Sequence, residues 1–375
     1  VVGYGTQKKA NLTGAVATVD VNKTLDSRPI ADIGRGLQGA VAGVNITIPT
    51  GEVGSDPLIK IRGQVGSISG NNTPLILLDN VEIPSIQMVN PNDVQSISVL
   101  KDAASSSIYG SKAAFGVILI TTKSGAQSDK FEVSYSNNFS WQDPAKKIEI
   151  GGIEALQYTL DAQTNRREPM PAGGFWRISP ESLEKAIEWQ NLYGGKVKWN
   201  DPVVYGRDWF YDGKDKYGYR LYDGAKAMIK NWTPTMTHNL SVNGKSGKTS
   251  YNIGLGYLDQ SGMSKTAKKD DFKRYNASVS VTSEINKYIT VRASSIYSDR
   301  NKRYPGIGNT TADPWLYLYR WSPLMPMGVT ENGNPLKEPT YEMAAANTDN
   351  LQNKYYNINV VCSHCLDREW QSGVC

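Results

Sequence analysis

Residues 131–142 read Phe131-Glu132-Val133-Ser134-Tyr135-Ser136-Asn137-Asn138-Phe139-Ser140-Trp141-Gln142. The odd positions are Phe131, Val133, Tyr135, Asn137, Phe139 and Trp141; the even ones are Glu132, Ser134, Ser136, Asn138, Ser140 and Gln142. Side chains alternate across a strand, so the stretch is a strand with one greasy, aromatic face and one wholly polar face. Its length decides what kind. Strands in soluble proteins usually run about 5–6 residues, whereas a tilted strand crossing a bilayer needs roughly 9–11. The reading is a membrane-spanning strand.

The same alternation returns at Tyr251, Ile253, Leu255, Tyr257, at Tyr275, Ala277, Val279, Val281, and at Ile289, Val291, Ala293. Weaker versions lie at Leu240 and Val242 and at Tyr356, Ile358 and Val360. Long excursions at about 143–235 and 300–351 alternate with short turns expected at Gly244-Lys245-Ser246-Gly247 and Ser283-Glu284-Ile285-Asn286, and a medium loop spans Ser261 to Asp270. A barrel with tight turns on one rim and long loops on the other has this rhythm. Six strands cannot enclose a domain of the size that precedes them. Residues 130–361 are therefore expected to be the N-terminal part of a larger β-barrel.

Composition agrees with this division. Of the 36 aromatic residues, only Tyr4, Tyr109 and Phe115 precede residue 131. The boundary is expected near the turn-prone Ser124-Gly125-Ala126-Gln127-Ser128-Asp129. Before it, Pro57–Arg62, Leu75–Leu78 and Gly116–Ile120 are apolar runs of strand length. Asp32 to Val41 places Ile33, Leu37 and Val41 at helical spacing with Asp32 as cap. Val94, Ile97 and Leu100 repeat at three-residue spacing, and Ala103 to Tyr109 is rich in Ala and Ser. This first part reads as an α+β domain.

Other classes are excluded. The 375 residues carry a net charge of +5, too dilute for nucleic acid, and no run of 18 apolar residues could form a spanning helix. The chain starts at Val1, its first methionine is Met88, and it reads as a processed product or a fragment. Its three cysteines, Cys362, Cys365 and Cys375, lie in an anomalous tail over 362–375 that is unlike the sequence before it. With His364 the pair Cys362/Cys365 is at most half a zinc site, so no metal is expected. His238 and His364 are the only histidines, which leaves no Ser/His/Asp arrangement to argue. Gly244–Thr249 imitates a phosphate loop, but Val242 stands where its first glycine belongs and a strand follows. Asp161/Glu168 and Glu181/Glu184 read as exposed helix charge and not as a glycosidase pair.

The order of motifs resembles the SusC/RagA-type TonB-linked outer-membrane transporters. Val1-Val2-Gly3-Tyr4-Gly5-Thr6-Gln7-Lys8-Lys9 is similar to the family's coupling segment, here residues 1–9. The plug, over 10–125, is marked by Asp32–Val44, then Ile59-Lys60-Ile61-Arg62-Gly63, Asn71–Leu75 and Leu78-Asp79-Asn80-Val81. It continues through Asn90-Pro91-Asn92-Asp93-Val94, Val99-Leu100-Lys101-Asp102-Ala103, Ile108-Tyr109-Gly110-Ser111-Lys112 and Gly116–Lys123. Asn80 replaces the family's usual glycine in a turn, and Phe115 its usual asparagine; Asn also accepts left-handed geometry, so the turn should survive.

The resemblance implies import of a glycan or peptide oligomer across the outer membrane of a Gram-negative, Bacteroidetes-type cell. It implies TonB, with its ExbB/ExbD energising complex, contacting Val1, Val2, Gly3 and Tyr4 by strand addition. It also implies a SusD-like surface lipoprotein, a surrounding outer-membrane lipid, no cofactor and no catalysis. Arg62, Gly63, Asp79, Lys101, Asp102, Tyr109 and Gly110 carry the plug motif, and Arg62 and Lys101 are candidates for ionic contact with the barrel wall. Trp176, Trp199, Trp209 and Tyr211 crowd the first long loop. Their rings suit either stacking on sugar faces or packing the loop and the interfacial girdle. Two other classes answer to parts of the pattern. A surface or periplasmic glycan-binding β-protein would explain the aromatics but not the motif order, and a secreted glycan-active enzyme would need a close carboxylate pair.

Overall fold

The computed structural model describes residues 16–20, 33–47, 53–62, 73–125, 131–144, 149–173, 176–198, 201–265, 270–303, 322–326 and 370–371. Val1 to Tyr4, Gly63, Trp199, the cysteines, His364 and the weak strand at Tyr356–Val360 lie outside them.

The first part holds strands β1 (Val16–Asp20), β2 (Val44–Thr47), β3 (Leu58–Ile61), β4 (Leu75–Leu78), β5 (Val81–Glu82), β6 (Val94–Leu100) and β7 (Val117–Thr122). Five of them form one sheet in the order β1-β6-β7-β4-β5, and β2 pairs with β3 alone. Helix α1 (Ile33–Leu37) buries Ile33 and Leu37, and Val41 follows them into the same core. The helix is shorter than its apolar spacing suggests, because Gly39 and Gly43 turn the chain at φ 75° and 77°. The three-residue repeat of Val94, Ile97 and Leu100 belongs to strand β6. That strand is covered on both faces, so its apolar positions do not alternate. Asp79 and Asn80 both adopt positive φ (47° and 72°) between β4 and β5, the geometry of a tight hairpin turn, and Asn80 accepts it as expected.

The second part is a long antiparallel sheet of β8 (Glu132–Gln142), β12 (Thr233–Ser246), β13 (Thr249–Ser261), β14 (Asp271–Asn286) and β15 (Ile289–Arg303). The tight turns are shorter than expected. Gly244–Ser246 and Ser283–Asn286 continue their strands, and only Gly247-Lys248 and Lys287-Tyr288 connect them. The Asn286 side chain accepts hydrogen bonds from the Tyr288 and Ile289 amides (2.8 and 2.9 Å), which fixes the second turn.

Register keeps the two faces distinct, save at Ser295 and Ile296 on β15. One row reads Tyr135, Leu240, Leu255, Ala277, Tyr297; the next on that face reads Val133, Val242, Ile253, Val279, Ser295. The intervening rows on the opposite face read Ser136, Asn239, Gly256, Asn276, Ser298 and Ser134, Ser241, Gly254, Ser278, Ile296. Among the described residues of 362–375, Trp370–Gln371 form β16 beside β15 at Asn301–Lys302.

The first long loop folds on itself. Beyond the plug helix α2 (Ala103–Ser106), it contains α3 (Ile153–Asn165), α4 (Pro180–Tyr193) and α5 (Gly224–Met228), with a small sheet of β9 (Trp176–Arg177), β10 (Trp209–Tyr211) and β11 (Lys216–Gly218). Helix α4 starts at a capping box in which the Ser179 hydroxyl accepts from the Ser182 amide (3.2 Å) and Ser182 answers with its own hydroxyl (2.8 Å). Leu156, Leu160, Trp176, Leu183, Trp209 and Tyr222 form its core, joined by Leu324 and Met325 from the second long loop.

Candidate functional site: the seam between plug and wall

The polar face of the long sheet is covered by one short plug segment, Ser85 to Asp93. Two single turns of 3-10 helix shape it. Ser85 caps the first (Ile86–Met88) by accepting from the Gln87 amide at 3.1 Å. Asn90 caps the second (Pro91–Asp93) by accepting from the Asn92 amide at 3.1 Å, with Pro91 at the first position, where no amide is needed.

Each turn then meets the wall. Arg274 donates to the Gln87 carbonyl (2.9 Å) and Asn276 to the Met88 carbonyl (2.8 Å), both from β14. Asn90 donates to the Asn239 side-chain oxygen on β12 (2.9 Å). From β15, Arg300 donates to the Ser85 hydroxyl and Lys302 to the Ser55 hydroxyl, each at 2.8 Å. Ser85 in turn donates to Asp56, and Gln87 to the Ser55 carbonyl (3.2 Å). Val53 of the plug packs with Leu258 and Phe272 of the wall. The seam is thus mostly hydrogen bonds, which suits two surfaces that are each polar before they meet.

Asp93 is buried at the lower end of this segment, and its carbonyl accepts from the Lys123 amide (2.8 Å). Burial pushes its carboxyl above the usual aspartate range; the Ser278 hydroxyl beside it and the charges of Lys123 and Arg274 pull the other way.

The plug motif residues take other places. Arg62, at φ 54°, pairs with Asp102 at 2.5 Å, and Lys101 donates to the Ala42 carbonyl at 2.5 Å. Both cations thus have partners within the plug itself. Gly43 lies beside both: its carbonyl accepts from the Arg62 amide (2.7 Å), and a Cβ on it would stand in ordinary contact with Arg62 Cγ and Lys101 Cδ. Asp79 accepts from the Thr122 amide (3.0 Å) and hydroxyl, and its own amide donates to Ile120 (2.9 Å), which ties the β4–β5 hairpin to β7. Tyr109 packs beside Leu77, Leu100 and Val117, and Gly110 turns the chain at φ 69°, ψ −153°.

Of the two readings of the loop aromatics, Trp176 and Trp209 take the packing one. Trp209 is 0% exposed and Trp176 7%, their rings edge to face at 5.8 Å inside the loop core. Tyr211 packs against the same core and donates to the Gly213 carbonyl (2.9 Å). Trp176 and Trp209 thus hold the loop together, with Tyr211 half-buried beside them. Beneath them Asp208, wholly buried, accepts from Trp189 (2.9 Å), twice from Arg207 (2.7 and 2.8 Å), from the Val204 amide (3.0 Å) and from Arg220 (3.4 Å). Burial opposes its charge, but the Arg207 guanidinium and these donors together hold the carboxyl below the usual range.

Sequence reasoning quoted Asn90 to Val94 as a motif but did not single out Asn90 or Asp93 as site residues, and it missed Arg274, Asn276 and Arg300. A cation on the polar face of a spanning strand was the available signal. Among the described residues no cluster of His, Cys, Asp or Glu could hold a metal ion. Nor, among the described residues, is any helix long and apolar enough to cross a membrane, which says nothing of crossing by strands.

A family model described as the TonB-dependent receptor plug domain matches residues 8–117. The chain is 29% identical over 364 residues to the TonB-dependent receptor P26 of Formosa agariphila, covering 95% of this chain and 32% of that receptor. It is 28% identical over 290 residues to the TonB-dependent receptor SusC of Bacteroides thetaiotaomicron, covering 75% of this chain and 24% of SusC. The solved RagAB peptide importer in its open-open state superposes with a TM-score of 0.59 at 30% identity, over 81% of this chain and 32% of that one. The chain thus spans between 24% and 32% of the length of these relatives. A plug sheet, a polar seam and an outward-greasy wall follow one another in the order that this similarity covers, and the chain belongs to the TonB-dependent receptors of the SusC/RagA type, of which it carries the plug domain and the first barrel strands.

Proposed function

We propose that the chain forms the plug and opening wall of an outer-membrane importer for an oligomeric nutrient, a glycan or a peptide. The observation that carries this reading is the seam: one plug segment, Ser85 to Asp93, bonds to three wall strands, β12, β14 and β15, across their polar face. A plug that only rested in a pore would not need that match. The solved relative at 30% identity is a peptide importer, which supports cargo of oligomer size.

In this reading residues 1–9 are the coupling segment and 10–125 the plug. Residues 130–361 are wall with external loops, and 362–375 stand apart from it. Val1 to Tyr4 add as a strand to TonB through backbone hydrogen bonds, and force supplied by ExbB/ExbD through TonB shifts the plug. A SusD-like lipoprotein covers the external face, and the outward rows of β8 and β12–β15 meet lipid. Arg62, Asp102 and Lys101 brace adjacent plug turns, Asp79 holds the β4–β5 hairpin, and Tyr109 and Gly110 shape the turn before β7. Import breaks no bond in the cargo, so no catalytic residue is assigned. The test is deletion of residues 1–9 from the full-length receptor. Uptake should be lost while insertion in the outer membrane is unchanged; normal energised uptake would remove the coupling assignment.

A further inference from the structure

Strand β13 carries two glycines two residues apart, Gly254 and Gly256, in the middle of a 13-residue spanning strand. Glycine weakens a strand interior, and it is usually explained by an unusual backbone angle or by close approach of another chain segment. The backbone does not explain these two, since neither has positive φ. Space does. A Cβ at Gly256 would fall under 3.0 Å from Asn90 Nδ2, and at Gly254 it would do so from Asp93 Oδ1 and Ser278 Oγ.

The plug side chains above them cannot simply swing away. Asn90 is buried and fixed at both ends of its amide, donating to Asn239 and accepting from the Asn92 amide. Asp93 is buried too, with its carbonyl held by the Lys123 amide and its carboxyl against Ser278. Asn239, Gly256 and Asn276 share one cross-strand row, and Ser241, Gly254 and Ser278 the next. The two glycines are therefore a notch between polar side chains, facing the Asn90–Asp93 turn.

We propose that Gly254 and Gly256 are positioning residues that form the seat of the plug, a notch in the wall that receives the Asn90–Asp93 turn and keeps the pore closed. The proposal rests on the reading of a plug that closes a barrel, but not on TonB or on the identity of the cargo. Closure is a resting property, so it is measured without energisation.

The experiment uses the full-length receptor in a strain lacking TonB. Gly254→Val and Gly256→Val are compared with Leu255→Val, which lies between them on the opposite face. Valine is a better strand former than glycine, so a strand effect alone would favour the variants. The seat predicts a severalfold gain in susceptibility to a large glycopeptide antibiotic for the two glycine variants and none for Leu255→Val. It further predicts that Asn90→Ala reduces the leak of Gly256→Val, because the added methyls then have room. Wild-type tightness in both valine variants would overturn the proposal, as would a leak that Asn90→Ala leaves unchanged. If a valine variant does not reach the membrane, the plug is altered instead. Asn90→Ala/Asp93→Ala in the unaltered wall should make the plug of the purified receptor more open to trypsin, and an unchanged cleavage pattern would equally overturn the seat. Should the seat hold while deletion of residues 1–9 leaves uptake intact, the import reading alone fails.

Discussion

The plug and the wall use the same apolar residues in opposite places. In the plug, Ile97, Val99, Ile118 and Ile120 lie at 0–1% exposure at the centre of the sheet. In the wall, Val133, Tyr135, Leu255 and Tyr297 stand 49–61% exposed on one face, while Asn239, Gly256, Asn276 and their row turn to the other. The plug hides its oil and shows its polar groups; the wall does the reverse. In the proposed reading the surroundings differ, and with them the meaning of burial: polar groups and water meet the first, hydrocarbon the outer face of the second. Where the two touch, hydrogen bonds between polar groups carry most of the contact, and the shared apolar core is the small cluster of Val53, Leu258 and Phe272.

The comparison breaks most visibly at the plug centre. Ile97→Asp should cost about 4 kcal/mol or more, since it leaves a carboxylate without a partner in a closed apolar core. Plug-specific proteolysis of the full-length receptor should rise sharply, with the barrel still inserted. Protection at the wild-type level would mean that the β6 core is looser than its burial indicates.

A smaller effect sharpens the other half. Leu255→Arg on the outward face should destabilise the barrel by about 2–4 kcal/mol if that face meets lipid, while Ser136→Arg on the polar face should stay within about 0.5 kcal/mol. Urea unfolding of the receptor in lipid vesicles reads both. Equal costs would put both faces in the same solvent and dissolve the contrast.

The smallest effect is a difference in sign between two buried aspartates. Asp93 in the seam has its carboxyl raised above 3.8, so the folded state holds its proton more tightly than the unfolded one. Its local stability therefore falls as pH rises from 3.8 through the raised value, and acidification firms the seam. Asp208 in the external loop has its carboxyl lowered below 3.8. Its contribution is full above that value and is lost as pH falls through the lowered one. Hydrogen exchange at mild and at strong acidity should show the Asp93 turn gaining protection over a range where the loop holds steady, then the loop losing it. Asp208→Asn should remove the second change. Parallel behaviour of the two regions would contradict the opposed environments.

Much of the wall could be read from sequence because alternation is a local property: Phe131 to Gln142 declares its two faces without knowing its neighbours. The plug was readable from motif order. Features that depend on a distant partner were not. Trp176 and Trp209 are apolar residues in a long loop, and only the fold shows that the loop has a core to put them in. Arg62 has its partner Asp102 forty positions on. The spacing of Val94, Ile97 and Leu100 fits a helix as well as it fits a strand covered on both sides. The turn residues at Gly247-Lys248 and Lys287-Tyr288 were placed a few positions early, because polar residues at strand ends resemble turns until their pairing is seen.

One contact of the external loops bears on how the molecule is made. The Tyr222 amide donates to the Pro323 carbonyl (2.8 Å), and Leu324 and Met325 complete the core begun by Leu156 and Trp176. Strands β12 to β15 all lie between those two halves in the chain. Closing so long a loop on its own is entropically costly and slow, but each hairpin of the wall shortens the effective distance. The first external loop is thus the last to be finished: its core waits for four later strands to be synthesised and paired. A stall in barrel assembly would leave this loop open even though nearly all of its own sequence had long been made.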